Sequence, residues 1–294
     1  MTHSDAVTRK VLLVLHPNRP EAKDVAREIV QSLSNDGISF ISTSDSGLTG
    51  VSSIARGDLP KQLSEIELVL VLGGDGTILR GAELIHGTNI PVLGINLGHV
   101  GFLAQIGKPT TTSIIEAIRN RNYRTEKRMT LAYQVQRNEV VVARGWALNE
   151  VTVERSTEAM IELFVQVDHR PLSRWGCDGV ICATPTGSTA YAFSAGGPVV
   201  WPEVEAFVLL PLAAHALFSD PMVISPDSEI AIDVESDEGV LSADGLRKFQ
   251  LLERDRIVIS SDKTFINLAH IEEAPFADRL VAKFKLPVDG WRGE

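Results

Sequence analysis

Cysteine is scarce in this chain: Cys177 and Cys182 are the only two among 294 residues. There is no further cysteine and no histidine pair at zinc-site spacing. A disulfide scaffold and a zinc finger are thereby excluded, and both cysteines are expected reduced and partly buried in a cytoplasmic protein. Basic runs are missing as well, and the net charge is −10, which argues against nucleic acid or an anionic membrane as a general partner. The longest apolar run, Ala206 to Phe218, contains Pro211 and His215 and is too short to span a bilayer. Met1 to Thr8 is polar and lacks the apolar core of a signal peptide. No internal repeat or low-complexity tract stands out. An acidic chain of this kind binds an anion only locally, through backbone N–H groups, a few arginines or a metal.

What is present is ordinary globular material, 44% hydrophobic and 22% charged, long enough for two domains or one large one. One stretch organises it: L-V-L-V-L-G-G-D-G-T-I-L-R, Leu68 to Arg80. Five apolar residues in a row predict a strand buried on both faces. Gly73, Gly74, Gly76 and Thr77 then form a turn into a helix, a natural phosphate cradle because free N–H groups point outward there. The turn is not a P-loop, since no G-K-[ST] follows. With Gly74 and Gly76 as the first two glycines it nearly matches the dinucleotide fingerprint, but Leu79 stands where the third belongs, and an ordinary dehydrogenase is disfavoured. The unexpected residue is Asp75. Either it caps the helix as an N-cap, a common use of Asp, or it faces a cation or a hydroxyl. Arg80, one helical turn beyond Thr77, either reaches a phosphate or is a solvated helix arginine.

Before this stretch, Lys10 to Leu15 reads as a buried strand, Glu21 to Leu33 as a helix and Ile38 to Ile41 as a short strand, the β-α-β opening of a doubly wound domain. Ser42 to Pro60 is rich in Ser, Thr, Gly and Asp and reads as a variable loop. A helix near Thr77 to His86, a strand at Pro91 to Asn96 and a helix at Thr112 to Asn120 follow. After Tyr123 the period changes to alternation, at Thr130 to Gln136, Glu139 to Arg144, Asn149 to Glu154, Ile161 to Val167, Glu229 to Val234, Gly239 to Leu241 and Arg256 to Ser260. That predicts a mostly-β, sandwich-like second domain. Phe276 to Phe284 regains helical spacing. The expected division is an α/β domain at 9–125 with a Rossmann-like parallel sheet, a β-rich domain at 126–274, and a C-terminal segment, 275–294, packing back on the first.

Two further clusters carry chemistry. Asp178 to Pro198 reads D-G-V-I-C-A-T-P-T-G-S-T-A-Y-A-F-S-A-G-G-P. Thr184, Thr186, Ser188 and Thr189 surround Gly187 with hydroxyls, and a helix starting near Ser188 would offer its N-terminus to an anion. No G-x-S-x-G elbow is present, so a serine hydrolase is a weak reading. Asn149-Glu150 lies between apolar residues of an expected strand. A carboxylate buried there is costly without partners, and the paired hydroxyls of a ribose would satisfy it; an edge-strand pair facing water is the alternative. His99, His169 and His215 have no ligand spacing and read as structural.

Taken together, these residues resemble the NAD kinase family. The resemblance rests on G-G-D-G-T at Gly73 to Thr77, N-L-G-H-V-G-F-L at Asn96 to Leu103, L-N-E at Leu148 to Glu150, and the segment Asp178 to Pro198. It implies phosphoryl transfer to the 2′-hydroxyl of the adenosine ribose of NAD, giving NADP, with ATP or polyphosphate as donor. The motif aspartate, here Asp75, is the general base in that reading. Gly76 and Arg80 would flank the nucleotide, and Gly73, Gly74 and Thr77 would cradle phosphate. Asn149 and Glu150 would hold ribose or nicotinamide-side groups. Asp178 and the run Thr189, Ala190, Tyr191, Ala192, Phe193, Ser194 would hold the rest, with Tyr191 lining an adenine site. The resemblance also implies Mg²⁺ brought with ATP rather than a metal site in the protein, and a homodimer or homotetramer. One departure is visible: Asp244-Gly245-Leu246 stands where such proteins often carry Asp-Gly-Gln. The rival readings are a lipid kinase of the diacylglycerol or sphingosine type, which shares G-G-D-G-T, and a non-catalytic nucleotide sensor.

Overall fold

The structure is a computed structural model that describes residues 9–98, 101–105, 109–236, 238–273 and 275–288. Met1 to Thr8, His99 and Val100 lie outside the described residues. The chain forms two compact units. The first takes the chain up to Lys127 and again from Ile266, and the second is Arg128–Phe265.

The first unit opens with β1 (Arg9–Leu15), α1 (Pro20–Asn35), β2 (Ile38–Ser42), β3 (Val51–Ser53), β4 (Ile66–Leu72), α2 (Asp75–Ile85), β5 (Val92–Ile95) and α3 (Thr111–Asn120). Its strands are parallel, in the order β3-β2-β1-β4-β5. Leu68 to Leu72 are all fully buried, because the sheet is covered on both faces. On one face α1 and α3 share a core with Val11, Leu13, Leu68, Leu70 and Leu72. On the other, α2 approaches so closely that a Cβ on Gly81 would meet the Val69 and Val71 side chains. Helices on both faces make the unit doubly wound, as the alternation of strands and helices predicts. One expectation is corrected. Ser42 to Pro60 is not wholly loop: β3 lies within it and pairs with β2 from Phe40–Val51 to Ser42–Ser53, and a 3₁₀ turn follows at Arg56–Lys61.

The second unit is built from the rest of β6 (Arg124–Arg137), β7 (Val140–Ala147), β8 (Glu150–Arg155), β9 (Ile161–Val167), β10 (Arg170–Cys177), β11 (Gly179–Ala183), the single helical turn α4 (Tyr191–Ser194), β12 (Phe207–Leu212), β13 (Met222–Ile224), β14 (Ile230–Val234), β15 (Gly239–Ala243), β16 (Arg247–Leu251) and most of β17 (Arg256–His270). One antiparallel sheet runs β13-β12-β11-β8-β15-β16. The facing layer runs β10-β9-β14-β17, with β6 pairing β17 and β7. Val153, Cys182, Phe207 and Leu241 of the first layer share a core with Leu163, Trp175, Ile232 and Ile257 of the second, which makes a sandwich. Both cysteines are fully buried and free, deeper than expected. Pro211 sits inside β12, a position normally closed to proline. It is tolerated because β13 pairs only with Phe207 to Leu209, leaving that edge of β12 uncovered at Pro211.

The chain then returns to the first unit. Leu268 and Ala269, near the end of β17, pair in parallel with Val92 and Leu93 of β5. α5 (Phe276–Phe284) coincides with the predicted helical stretch, and its Phe276 and Phe284 rings pack on Phe102 at 6.0 and 5.7 Å between centroids. Among the described residues no helix is long and apolar enough to cross a membrane.

Candidate active site

In the first unit, β4 ends at Leu72 and Gly73 continues it for one bond, its N–H donating to the Ile95 carbonyl at 3.0 Å. The N-cap of α2 is Gly74, whose carbonyl accepts from the Thr77 and Ile78 N–H groups at 2.8 and 3.1 Å. The N-cap reading of Asp75 is therefore corrected: Asp75 is the first helical residue and caps nothing. Its carboxylate turns instead to a segment that follows β5. Oδ2 accepts from the Phe102 N–H at 2.9 Å and Oδ1 from the Leu103 N–H at 3.1 Å. A side chain at position 101 would overlap this carboxylate, so Gly101 is required for the approach. Thr77 is buried beneath the turn, while Gly76, in the first turn of α2 at its positive end, and Arg80, in mid-helix, are exposed.

In the second unit, the L-N-E segment enters β8 and is stitched from two directions. Thr184 donates its N–H to the Asn149 carbonyl at 2.8 Å and its hydroxyl to the Leu148 carbonyl at 2.6 Å. Gly187 lies so close to the Asn149 backbone that no Cβ fits there. From the other side, Asp244 accepts from the N–H groups of Leu148, Asn149 and Glu150 at 2.9, 2.7 and 3.4 Å. β8 lies between β11 and β15, so Glu150 is 8% exposed and not on an edge facing water. That alternative is overturned. Glu150 Oε2 and Thr152 Oγ1 are buried without a hydrogen-bond partner, and both line a cavity of about 500 Å³ with Glu154, Arg155, Tyr191 and Asp244. Burial first, and the neighbouring Asp244 charge second, push the Glu150 carboxyl up to about 8, although the Tyr191 N–H opposes this. Burial likewise raises Asp244 to about 6 against its three N–H donors.

A second cavity, of about 710 Å³, is lined by Asp178, Tyr191, Ser194, Arg155 and Glu154 among others. Asp178 is ion-paired to Arg155 at 2.7 Å. The helix expected from Ser188 is corrected to a 3₁₀ turn, Gly187–Thr189, and the single turn α4, broken at Ala190. Most hydroxyls of this cluster face inward. Ser188 donates to the Pro185 carbonyl at 2.6 Å and accepts from the Val200 N–H at 2.9 Å, and Thr189 donates to the Thr186 carbonyl at 3.2 Å. Ala192 is fully buried with Ile181, Ala183 and Val208, while Phe193 is exposed. Thus Glu150, Asp178, Tyr191 and Ser194 border cavities, whereas Ala192 is core. His169 and His215 are exposed, and His99 lies outside the described residues.

Two sets of contacts are not legible in sequence. Asp244 and Gly245 have positive φ and, with Leu246, form the three-residue turn from β15 to β16; the Asp-Gly turn signal is legible in sequence, but not the carboxylate's reach to Leu148 and Asn149. The Phe102–Leu103 backbone lay inside a recognised motif, yet nothing local ties its N–H groups to Asp75.

Residues 11–123 match the family model of the ATP-NAD kinase N-terminal domain, and residues 148–270 that of the ATP-NAD kinase C-terminal domain. An NAD kinase of Thermobifida fusca is 46% identical over 304 residues, covering 98% of this chain and 93% of its own. NAD kinase 2 of Streptomyces avermitilis is 44% identical, covering 97% of each chain. Among solved structures, yeast NADH kinase complexed with NADH shares the fold at a TM-score of 0.87 and 24% identity, over 97% of this chain and 90% of that one. An NAD kinase from Archaeoglobus fulgidus in complex with ATP gives 0.70 at 26% identity, over 94% and 98%. The chain belongs to the NAD kinase family of phosphotransferases.

Proposed function

We propose that the protein transfers the γ-phosphoryl group of ATP, or a terminal phosphoryl of polyphosphate, to the 2′-hydroxyl of the adenosine ribose of NAD. The 2′-oxygen forms the new P–O bond as the bond to the departing phosphate oxygen breaks, and the hydroxyl proton passes to the Asp75 carboxylate and then to water. With ATP the products are NADP and ADP.

One observation carries the assignment of Asp75. Its carboxylate is held by two backbone N–H groups, one on each oxygen, and each oxygen keeps a lone pair for a further donor. A base fixed in place needs only modest strength if the hydroxyl is held within reach. Phosphoryl transfer otherwise asks the protein for positioning and charge neutralisation. Gly73, Gly74 and Thr77 shape the turn beside the donor phosphates, while Gly76 and Arg80 supply its open face.

Glu150 holds a ribose hydroxyl pair, since an ionised carboxylate with an unpartnered oxygen is a ready acceptor. Asn149 supports that strand end. Asp178, Thr189, Ala190, Phe193 and Ser194 border the dinucleotide, with the Tyr191 ring against adenine and Ala192 packed behind it. Among the described residues no group of three His, Cys, Asp or Glu could hold a metal. Mg²⁺ would arrive on the donor phosphates, its usual mode in phosphoryl transfer, where it neutralises charge. The relative from Archaeoglobus fulgidus was solved with ATP, which supports ATP as the donor. We further assign the protein to the cytoplasm, as a homodimer or homotetramer.

The test mixes the purified protein with NAD, ATP and Mg²⁺ and measures NADP with an NADP-specific dehydrogenase. Steady NADP formation is expected. Folded protein that binds both nucleotides yet makes no NADP would instead point to a nucleotide sensor.

A further inference from the structure

The segment that holds Asp75 is itself held by the C-terminal helix. Arg279, in the middle of α5, is 2% exposed. Its Nη1 donates to the Phe102 carbonyl at 3.0 Å and to the Ala104 carbonyl at 2.7 Å. Nη2 faces His270 Nδ1 at 3.3 Å, and His270 Nε2 lies 3.2 Å from Glu126 Oε2. Burying a guanidinium is costly unless it is well partnered. An apolar side chain would cover the Phe102 segment as well as Phe276 and Phe284 already do, so covering does not explain the arginine.

The peptide plane does. The Phe102 carbonyl and the Leu103 N–H belong to one peptide unit, which is planar and trans, so they point in opposite directions. Arg279 takes the carbonyl end, and Asp75 Oδ1 takes the N–H end. The next anchored unit repeats the arrangement. The Ala104 carbonyl goes to Arg279, and the Gln105 N–H of the same unit goes to the Gly94 carbonyl of β5 at 2.7 Å. Gln105 adds a further tie, its Oε1 accepting from the Ile271 N–H at 2.9 Å. The backbone from Phe102 to Gln105 is thus stretched between Arg279 on one side and α2 and β5 on the other.

We propose that Arg279 is a positioning residue for the reaction: it sets the orientation of the Phe102–Leu103 peptide and, through it, the placement of the Asp75 carboxylate. The inference rests on the reading of Asp75 as the general base. It assigns the C-terminal helix a role in turnover that does not require contact with either nucleotide. The planar guanidinium fixes Nη1 between the Phe102 and Ala104 carbonyls, two residues apart, while Nη2 faces His270, and a lysine ammonium, a point charge on a flexible stem, does not reproduce that.

The experiment measures kcat and KM for NAD and ATP in the full chain as wild type, Arg279→Lys, Asp75→Asn and the double variant, with thermal unfolding as a control of folding. Arg279→Lys is expected to lower kcat by about 10- to 100-fold, the scale of misplacing a catalytic group by an ångström or less, with both KM values close to wild type. In the Asp75→Asn background the same substitution should change the residual rate little, because the group it positions is already disabled. An equal loss in both backgrounds, a loss confined to KM, or no loss at all would overturn the proposal. If Arg279→Lys does not fold, Phe284→Leu, which loosens the packing on Phe102 without removing the guanidinium, is expected to give a smaller kcat loss with the same dependence on Asp75. The failure of the underlying reading looks different: Asp75→Asn itself would then turn over like the wild type.

Discussion

Each unit presents one carboxylate to which the proposed function gives a role, and the two are handled in opposite ways. Asp75 in the first unit is half-exposed, and each of its oxygens accepts a backbone N–H. Glu150 in the second is buried, has one oxygen with no partner, and is pushed up to about 8. The same functional group is fixed by donors in one case and kept short of donors in the other. A carboxylate that is to receive a proton must be aimed; one that is to grip hydroxyls must have acceptor capacity left over.

Substitutions can break this comparison, and the largest effect is expected at Asp75. Asp75→Asn keeps the shape but removes the proposed base, and kcat should fall by about 10²- to 10⁴-fold, the usual worth of general-base catalysis. NAD binding, followed by calorimetry, should survive. Turnover near wild type would remove Asp75 from the chemistry.

Next comes Asp244→Ala, which takes the acceptor away from the buried Leu148 and Asn149 N–H groups. A loss of about 1–3 kcal/mol in unfolding free energy is expected from the stranded donors, read from a denaturant midpoint. The same change removes the negative neighbour of Glu150, so the Glu150 carboxyl should ionise at lower pH.

A third prediction concerns pH. Glu150 titrates near 8 in the folded protein, so at neutral pH much of it carries a proton. Ribose hydroxyls are better accepted by the ionised form. NAD affinity should therefore tighten as pH rises from about 6 toward about 8, with a proton released on binding. Glu150→Gln should flatten that dependence, and a slope unchanged in the variant would place the titrating group elsewhere. The smallest effect is expected at Arg80, exposed on α2. Arg80→Ala should raise KM for ATP modestly and leave NAD affinity alone, in keeping with a screened surface charge.

The first unit was the more legible in sequence. Five apolar residues at Leu68 to Leu72 read as a strand buried on both faces, and the spacing of Val25, Ile29, Val30 and Leu33 in α1 is helical. β3 was hidden because Val51-Ser52-Ser53 is short and polar, and its place is fixed by pairing with β2 rather than by its own residues. In the second unit the alternating strands are readable, but the sequence of β11 presents only a motif and that of β12 only an apolar run. Both are central strands, buried on both faces and without a polar period. The site divides along the same line. Glycines, hydroxyls and acids are local signals; the Asp244 and Phe102–Leu103 contacts join residues far apart in sequence, and no spacing rule reports them. The hydroxyls of the Thr184–Thr189 turn are legible as a cluster, but not their pairing: Ser188 and Thr189 donate to carbonyls of that turn, and Thr184 donates to the distant Leu148 carbonyl.

The course of β17 has a consequence for how the chain is made. β5 gains its second neighbour only from Leu268 and Ala269, residues translated after the whole of the second unit. A nascent chain that has just emerged past Lys127 carries the parallel strands of the first unit with the outer side of β5 unpaired, an apolar edge of the kind that recruits other strands. Synthesis of the second unit is the interval during which that edge stays open, and only the last part of the chain closes it.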